Sequence, residues 1–221
     1  MKKILLNKNI VKLIAAITFV LIAVTAVIFK ANPLNVLPLF VSIIVMFLQT
    51  KVNRFAFIIG SINSLFYAAA YFYMTLYSQS LYAALVSFPI QIFTFFAWNR
   101  NTKGGVTKTK SLSNKTRVIM LLTMAVVWLM LFAVFSAFDS SYLILDNTLA
   151  VIGIAASFLC FLRYSEYSLL QTISTTVTII LYSIMITDDI SKIVWLIFSI
   201  YSAICSVIAF ININRLSKQG E

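Results

Sequence analysis

The sequence predicts an all-α integral membrane protein with eight transmembrane helices. Three observations predict it: eight apolar runs of spanning length, a one-sided placement of basic residues between them, and a repeat at an offset of 111 residues. Of the 221 residues 62% are hydrophobic and 10% charged, against about 25% charged in a soluble domain. That leaves too little polar surface for a soluble fold. The mean hydropathy of +1.00 is spread over the whole length, with no separate soluble domain. Backbone amides in hydrocarbon must bond internally, as helices or closed barrels, and the runs lack the period-two alternation of barrel strands.

The runs cover residues 10–29, 34–50, 55–76, 81–98, 118–138, 147–162, 167–186 and 193–211. At about 1.5 Å per residue some 20 residues cross a core of roughly 30 Å, so the second and sixth runs, which contain Pro38 and Gly153, are short. The basic start and apolar stretch of residues 1–29 look like a signal peptide, but no small-residue cleavage pattern follows, and the stretch is read as the first helix.

With the N-terminus inside, 15 of the 17 Lys and Arg fall on the inner side, from Lys2, Lys3, Lys8 and Lys12 to Arg215 and Lys218, and only Lys30 and Lys192 fall outside. Asp139, Asp146, Asp188 and Asp189 lie outside. Both termini are therefore expected in the cytoplasm. The net charge of +11 is a topology signal rather than a nucleic-acid footprint. The basic loop 100–117 reads as a linker beside anionic headgroups, the other reading being a nucleotide- or protein-binding loop.

The offset of 111 places Phe47-Leu48 on Phe158-Leu159, Tyr71 on Tyr182, Ser80 on Ser191 and Leu85 on Leu196, and three apolar runs on three. The expected organisation is an extra helix (1–33), a three-helix repeat (34–99), the basic loop, a linker helix (118–138), a second three-helix repeat (139–216) and a tail (217–221). A single helix between the repeats makes them parallel rather than inverted. Homo-oligomerisation stays open.

The chain has no His, no Gly-rich phosphate loop, no metal-ligand cluster and no carboxylate pair in a run, so neither enzyme chemistry nor a cofactor is expected. No Asp, Glu, Lys or Arg is placed within the membrane, which argues against a proton relay or a charge-coupled pump. Cys160 and Cys205 sit in apolar runs as small packing residues. What the runs hold is uncharged polar and aromatic side chains. Asn63, Tyr67 and Tyr71 step by four along one helix face; Gln91, Thr94 and Trp98 share another; Gln171, Thr175, Thr178 and Tyr182 a third; Trp195 and Tyr201 follow in the last run. Such faces suit a neutral or weakly charged ligand with an aromatic ring. Ser and Thr at these spacings also serve as glue between helices, Trp98 beside Asn99-Arg100 also fits an interfacial anchor, and Pro89 fits either a gating kink or packing.

The segments from Asn53-Arg54-Phe55 through Gly60-Ser61-Ile62-Asn63, and from Phe88-Pro89-Ile90-Gln91 to Trp98-Asn99, resemble the PnuC family of vitamin transporters. The resemblance covers roughly residues 34–215. It implies two three-helix repeats joined by a linker helix, an architecture related to the SWEET sugar transporters, in a bacterial plasma membrane. It also implies facilitated diffusion of nicotinamide riboside, thiamine or riboflavin, with phosphorylation in the cell trapping the substrate, and it places Asn63, Gln91 and Trp98 near that substrate. The second repeat departs from the family's Trp-rich pattern, reading Glu166-Tyr167-Ser168-Leu169-Leu170-Gln171-Thr172-Ile173-Ser174, where discrimination among vitamins should lie. The rival class is a non-transporting scaffold or a binding subunit of a larger complex.

Overall fold

The computed structural model describes residues 8–100, 102–103, 106–107 and 109–219; Lys2, Lys3, the Gly104-Gly105 pair, Lys108 and Glu221 lie outside the described residues. The eight helices are α1 (Lys8–Ile28), α2 (Pro33–Thr50), α3 (Phe55–Tyr73), α4 (Tyr77–Arg100), α5 (Asn114–Phe135), α6 (Leu143–Phe161), α7 (Tyr167–Asp188) and α8 (Ile193–Gln219). Each is long and apolar enough to cross a membrane. Between α4 and α5, β1 (Thr102–Lys103) and β2 (Val106–Thr107) pair as a minimal antiparallel ladder.

Local chemistry sets the helix ends. Asn32 caps α2, its Oδ1 accepting from the Leu34 amide at 2.9 Å with Pro33 at the first helical position. Ser113 caps α5 by accepting from the Thr116 amide. The α2–α3 and α6–α7 turns each pass through one left-handed residue, Val52 (φ 53°) and Arg163 (φ 64°). These two stand 111 residues apart, so the repeat extends to backbone conformation.

In the first repeat α2 packs on α3 and α3 on α4; in the second α6 packs on α7 and α7 on α8. The repeats meet along two seams, α2 against α8 and α4 against α6. The extra helix α1 lies over the first seam, touching both α2 and α8, with Ile22 and Thr18 buried and Phe19 against Phe40. The linker α5 leans on α6, where the Trp128 indole N–H donates to Thr148 Oγ1 at 3.1 Å, and most of its surface is apolar and exposed, as lipid contact requires.

Three features depart from the expectations. α6 begins at Leu143 rather than at residue 147, so the sixth span is not short, and it takes Asp146, expected outside, into the helix as a fully buried carboxylate. α4 begins at Tyr77 rather than at residue 81 and contains a π-helical turn, Ala83–Ser87, just before Pro89. A proline ring clashes with the carbonyl four residues back and offers no N–H, and one extra residue in the turn relieves both. α8 runs on through Gln219, so little of the expected tail remains beyond the helix.

The end of the basic loop is strapped to the α6–α7 turn. The Lys110 amide donates to Arg163 O and the Ser165 amide to Lys110 O, each at 2.9 Å, and the Leu112 amide donates to Glu166 Oε1 at 2.8 Å. Leu112 itself is buried against Ile152, Leu159 and Leu170.

Candidate functional site

Asn63 occupies the middle of α3, where an unpaired amide is costly. Its Nδ2 donates to Pro38 O at 3.0 Å and Ser42 Oγ at 2.8 Å, both on α2, while Oδ1 is buried without a partner. One turn along, the Tyr67 hydroxyl meets Ser42 Oγ at 2.7 Å, and the Tyr67 and Tyr71 rings stack at 5.3 Å. On α4, Gln91 Nε2 donates to Ser64 Oγ and Ser87 Oγ, each at 2.8 Å. Its oxygen lies over Gly60, where a Cβ would stand 2.2 Å from it, so only glycine leaves that notch open.

At the other end of α4, Trp98 is 1% exposed. Its indole N–H donates to Cys160 O on α6 at 2.9 Å, and its ring meets the edges of Phe57 and Tyr167. This is a packed position between the repeats rather than an interfacial anchor. Tyr82 crosses the same seam through the gap left by Gly153, where a Cβ would come within 2.7 Å of the ring, and its hydroxyl meets Ser157 Oγ at 2.9 Å.

These walls enclose a cavity of about 270 Å³ between the two repeats. Of the side chains singled out from sequence, Asn63, Tyr67, Tyr71, Gln91, Thr94, Trp98, Gln171, Thr175 and Thr178 line it. Thr94 and Thr175 turn their hydroxyls onto carbonyls of their own helices, and Thr175 also meets Ser206 at 3.2 Å. Tyr182, Trp195 and Tyr201 lie outside the lining. Trp195 packs behind Tyr67 and Tyr71 with ring centroids 5.7 Å from each, and Tyr182 lies 5.1 Å beyond Trp195. The Tyr201 hydroxyl donates to Ile43 O, joining α8 to α2. The aromatic cluster closes the end of the cavity away from the basic α2–α3 and α6–α7 turns, towards which the lining extends through Gln49, Asn53 and Tyr167.

The lining also includes Ser42, Gln79, Tyr82, Tyr167 and Ala209, which sequence reasoning did not select. One signal reaches Ala209: at the offset of 111, Asn63, Tyr67, Gln91 and Trp98 correspond to Ser174, Thr178, Ser202 and Ala209, and all eight line the cavity.

No charged side chain is among the lining residues. Asp146 lies nearby but acts on the backbone. Its carboxylate accepts from the Ser78 amide at 2.9 Å, the Gln79 amide at 3.1 Å and Ser140 Oγ at 3.3 Å, and the Ser78 hydroxyl donates to the adjoining Asn147. A carboxylate of α6 thus caps the N-terminus of α4, where free N–H groups and the helix dipole favour negative charge. Among the described residues no group of His, Cys, Asp or Glu is placed to hold a metal ion.

A family model described as nicotinamide mononucleotide transporter matches residues 32–214. Among solved structures, the crystal structure of the vitamin B3 transporter PnuC superposes with a TM-score of 0.75 at 22% identity, covering 95% of this chain and 93% of that one. No curated protein matches the chain. The family match spans both repeats and every cavity-lining residue. The chain is a multi-pass membrane transporter, not an enzyme, and belongs to the nicotinamide mononucleotide transporter family.

Proposed function

We propose that this transporter carries nicotinamide riboside down its concentration gradient across a bacterial plasma membrane, and that phosphorylation inside the cell traps what has entered. The carrying observation is the uncharged cavity, walled by tyrosines, a tryptophan, carboxamides and hydroxyls. A phosphate group is held by Arg or Lys or by a helix N-terminus. With no cation in the lining, the riboside suits the cavity better than the mononucleotide of the family's description. Asn63 and Gln91 hydrogen-bond the ligand, Tyr71 and Trp98 offer ring faces, and Tyr67, Thr94, Gln171 and Thr175 complete the contact, with Tyr182, Trp195 and Tyr201 supporting Tyr67 and Tyr71 from behind.

Uniport is favoured because Asp146, the buried carboxylate nearest the cavity, is committed to the α4 backbone. Access alternates as the repeats rock along their two seams. The basic turns face the cytoplasm, by the bias of Lys and Arg. Thiamine and riboflavin are the alternative substrates.

Proteoliposomes containing only this chain, offered labelled nicotinamide riboside, its mononucleotide, thiamine and riboflavin, decide the matter. Saturable flux of the riboside is expected, unaffected by a proton gradient. Flux that requires an added partner protein supports the binding-subunit reading, and saturable flux of the mononucleotide alone overturns the substrate assignment.

A further inference from the structure

We propose that Ser64 and Ser87 are positioning residues that fix the direction of the Gln91 carboxamide, so that the cavity receives its oxygen and selects ligands presenting an N–H donor there. The inference rests on the nicotinamide riboside reading and names what in that ligand is recognised.

The argument follows the protons. The Ser64 hydroxyl donates to Gly60 O at 2.9 Å. Its one hydrogen is thereby spent, and its oxygen can only accept from its other neighbours. Within that pair, 2.9 Å apart, only Ser87 Oγ can donate, and the Tyr82 hydroxyl is its other neighbour, so its single hydrogen is spent on one of the two. Both serine oxygens still have lone pairs turned to Gln91, at 2.8 Å each. An amide oxygen placed there would face one hydroxyl with no hydrogen left and another already donating. The NH₂ group must occupy that side, and the carbonyl oxygen is left over Gly60 in the cavity wall.

Asn63 repeats the pattern on α3. Both of its N–H bonds are spent, on Pro38 O and Ser42 Oγ, and its oxygen is unpaired. The carboxamides that α3 and the middle of α4 set on this wall, Asn63 and Gln91, thus have no free N–H, and Gln91 presents an acceptor. A ligand carboxamide can donate to that acceptor. A ligand carboxylate cannot, and it would set oxygen against oxygen in a desolvated site.

The test compares nicotinamide riboside with its acid analogue, in which a carboxylate replaces the carboxamide, by calorimetry on the full chain in detergent. The riboside is expected to bind at least about tenfold more tightly. In the double variant Ser64→Ala, Ser87→Ala the amide is free to invert, and the preference is expected to fall to within about twofold, with a lower unfolding midpoint from the unpaired carboxamide but the protein still folded. Ser87→Thr, which keeps the hydroxyl, is expected to retain the preference. Equal affinities in the unaltered chain, or an unchanged preference in the double variant, overturn the inference. Absence of any riboside binding to the unaltered chain instead overturns the functional reading and the inference with it.

Discussion

Position for position, the first repeat sets Asn63, Tyr67, Gln91 and Trp98 around the cavity where the second sets Ser174, Thr178, Ser202 and Ala209. The backbones correspond even to a left-handed residue in equivalent turns, Val52 and Arg163. The same positions are therefore equipped in two ways. At these four pairs of positions carboxamides and rings come from one half and small hydroxyls and a methyl from the other, although the second half adds Tyr167 and Gln171 elsewhere in the wall. Two repeats with matching turns frame the cavity, and inequality between them gives it two unlike walls.

The sharpest break of that comparison is at Trp98. Trp98→Ala removes a buried ring, its bond to Cys160 O and its contacts with Phe57 and Tyr167. A loss of about 3–5 kcal/mol is expected, read as a large fall in the unfolding midpoint in detergent. Ala209→Gly at the equivalent place is expected to cost about 1 kcal/mol. Comparable losses would mean that the halves share the load.

The seams differ as the walls do. Asp146 stands where the first repeat has Asn35; the carboxylate holds two amides of α4, whereas the Asn35 oxygen is buried without a partner. Asp146→Asn is expected to cost about 1.5–3 kcal/mol, the range for hydrogen bonds to a charged group, and Asn35→Ala much less. Guanidinium unfolding of the two variants side by side measures the gap, and an equal cost would remove the special role of the α4–α6 seam.

Within the cavity, Gln91→Ala is expected to weaken riboside binding about tenfold, or about 1.4 kcal/mol, with the protein still folded. Ser202→Ala at the matched position is expected to shift binding less than about twofold. Calorimetry reads both, and an unchanged affinity for Gln91→Ala would remove that residue from the site.

Helix number and the repeat were legible because hydropathy, basic bias and chain offset are properties of the sequence alone. Tyr67, Gln91 and Trp98 were legible because polar and aromatic residues stepping by three or four share a helix face. Tyr182 satisfies the same rule and shares its face with Gln171 and Thr175, which do line the cavity, yet Tyr182 itself packs against Trp195 beyond the cavity's end. Spacing fixes the face of a helix and not what that face meets, and the Tyr67 and Tyr71 rings stand between Trp195 and the cavity. Asp146 falls in a loop by hydropathy, which ends a span at a charge. What carries the charge inside is a pair of amides from a helix nearly 70 residues away in sequence. Gly60 and Gly153 marked the close approaches of Gln91 and Tyr82, but a glycine does not name its neighbour.

The smallest expected effect separates the two basic turns. In the α2–α3 turn Asn53 caps α3 locally, accepting from the Phe55 amide at 2.9 Å, whereas in the α6–α7 turn Glu166 reaches the basic loop through the Leu112 amide and Arg117. Partial burial works to raise the Glu166 carboxyl, but the Leu112 amide and the Arg117 guanidinium together outweigh it and hold the pKa below its ordinary 4.5. A carboxylate depressed by folding adds stability above its unfolded value and loses it as the pH falls through the folded one. With Arg117 half-exposed, that contribution is screened and is expected to stay under about 1 kcal/mol. The unaltered chain should therefore exceed Glu166→Gln slightly in unfolding midpoint at neutral pH, the gap closing below about pH 4. A gap that persists unchanged at low pH would show that the strap is held by Leu112 in its apolar pocket and not by the carboxylate.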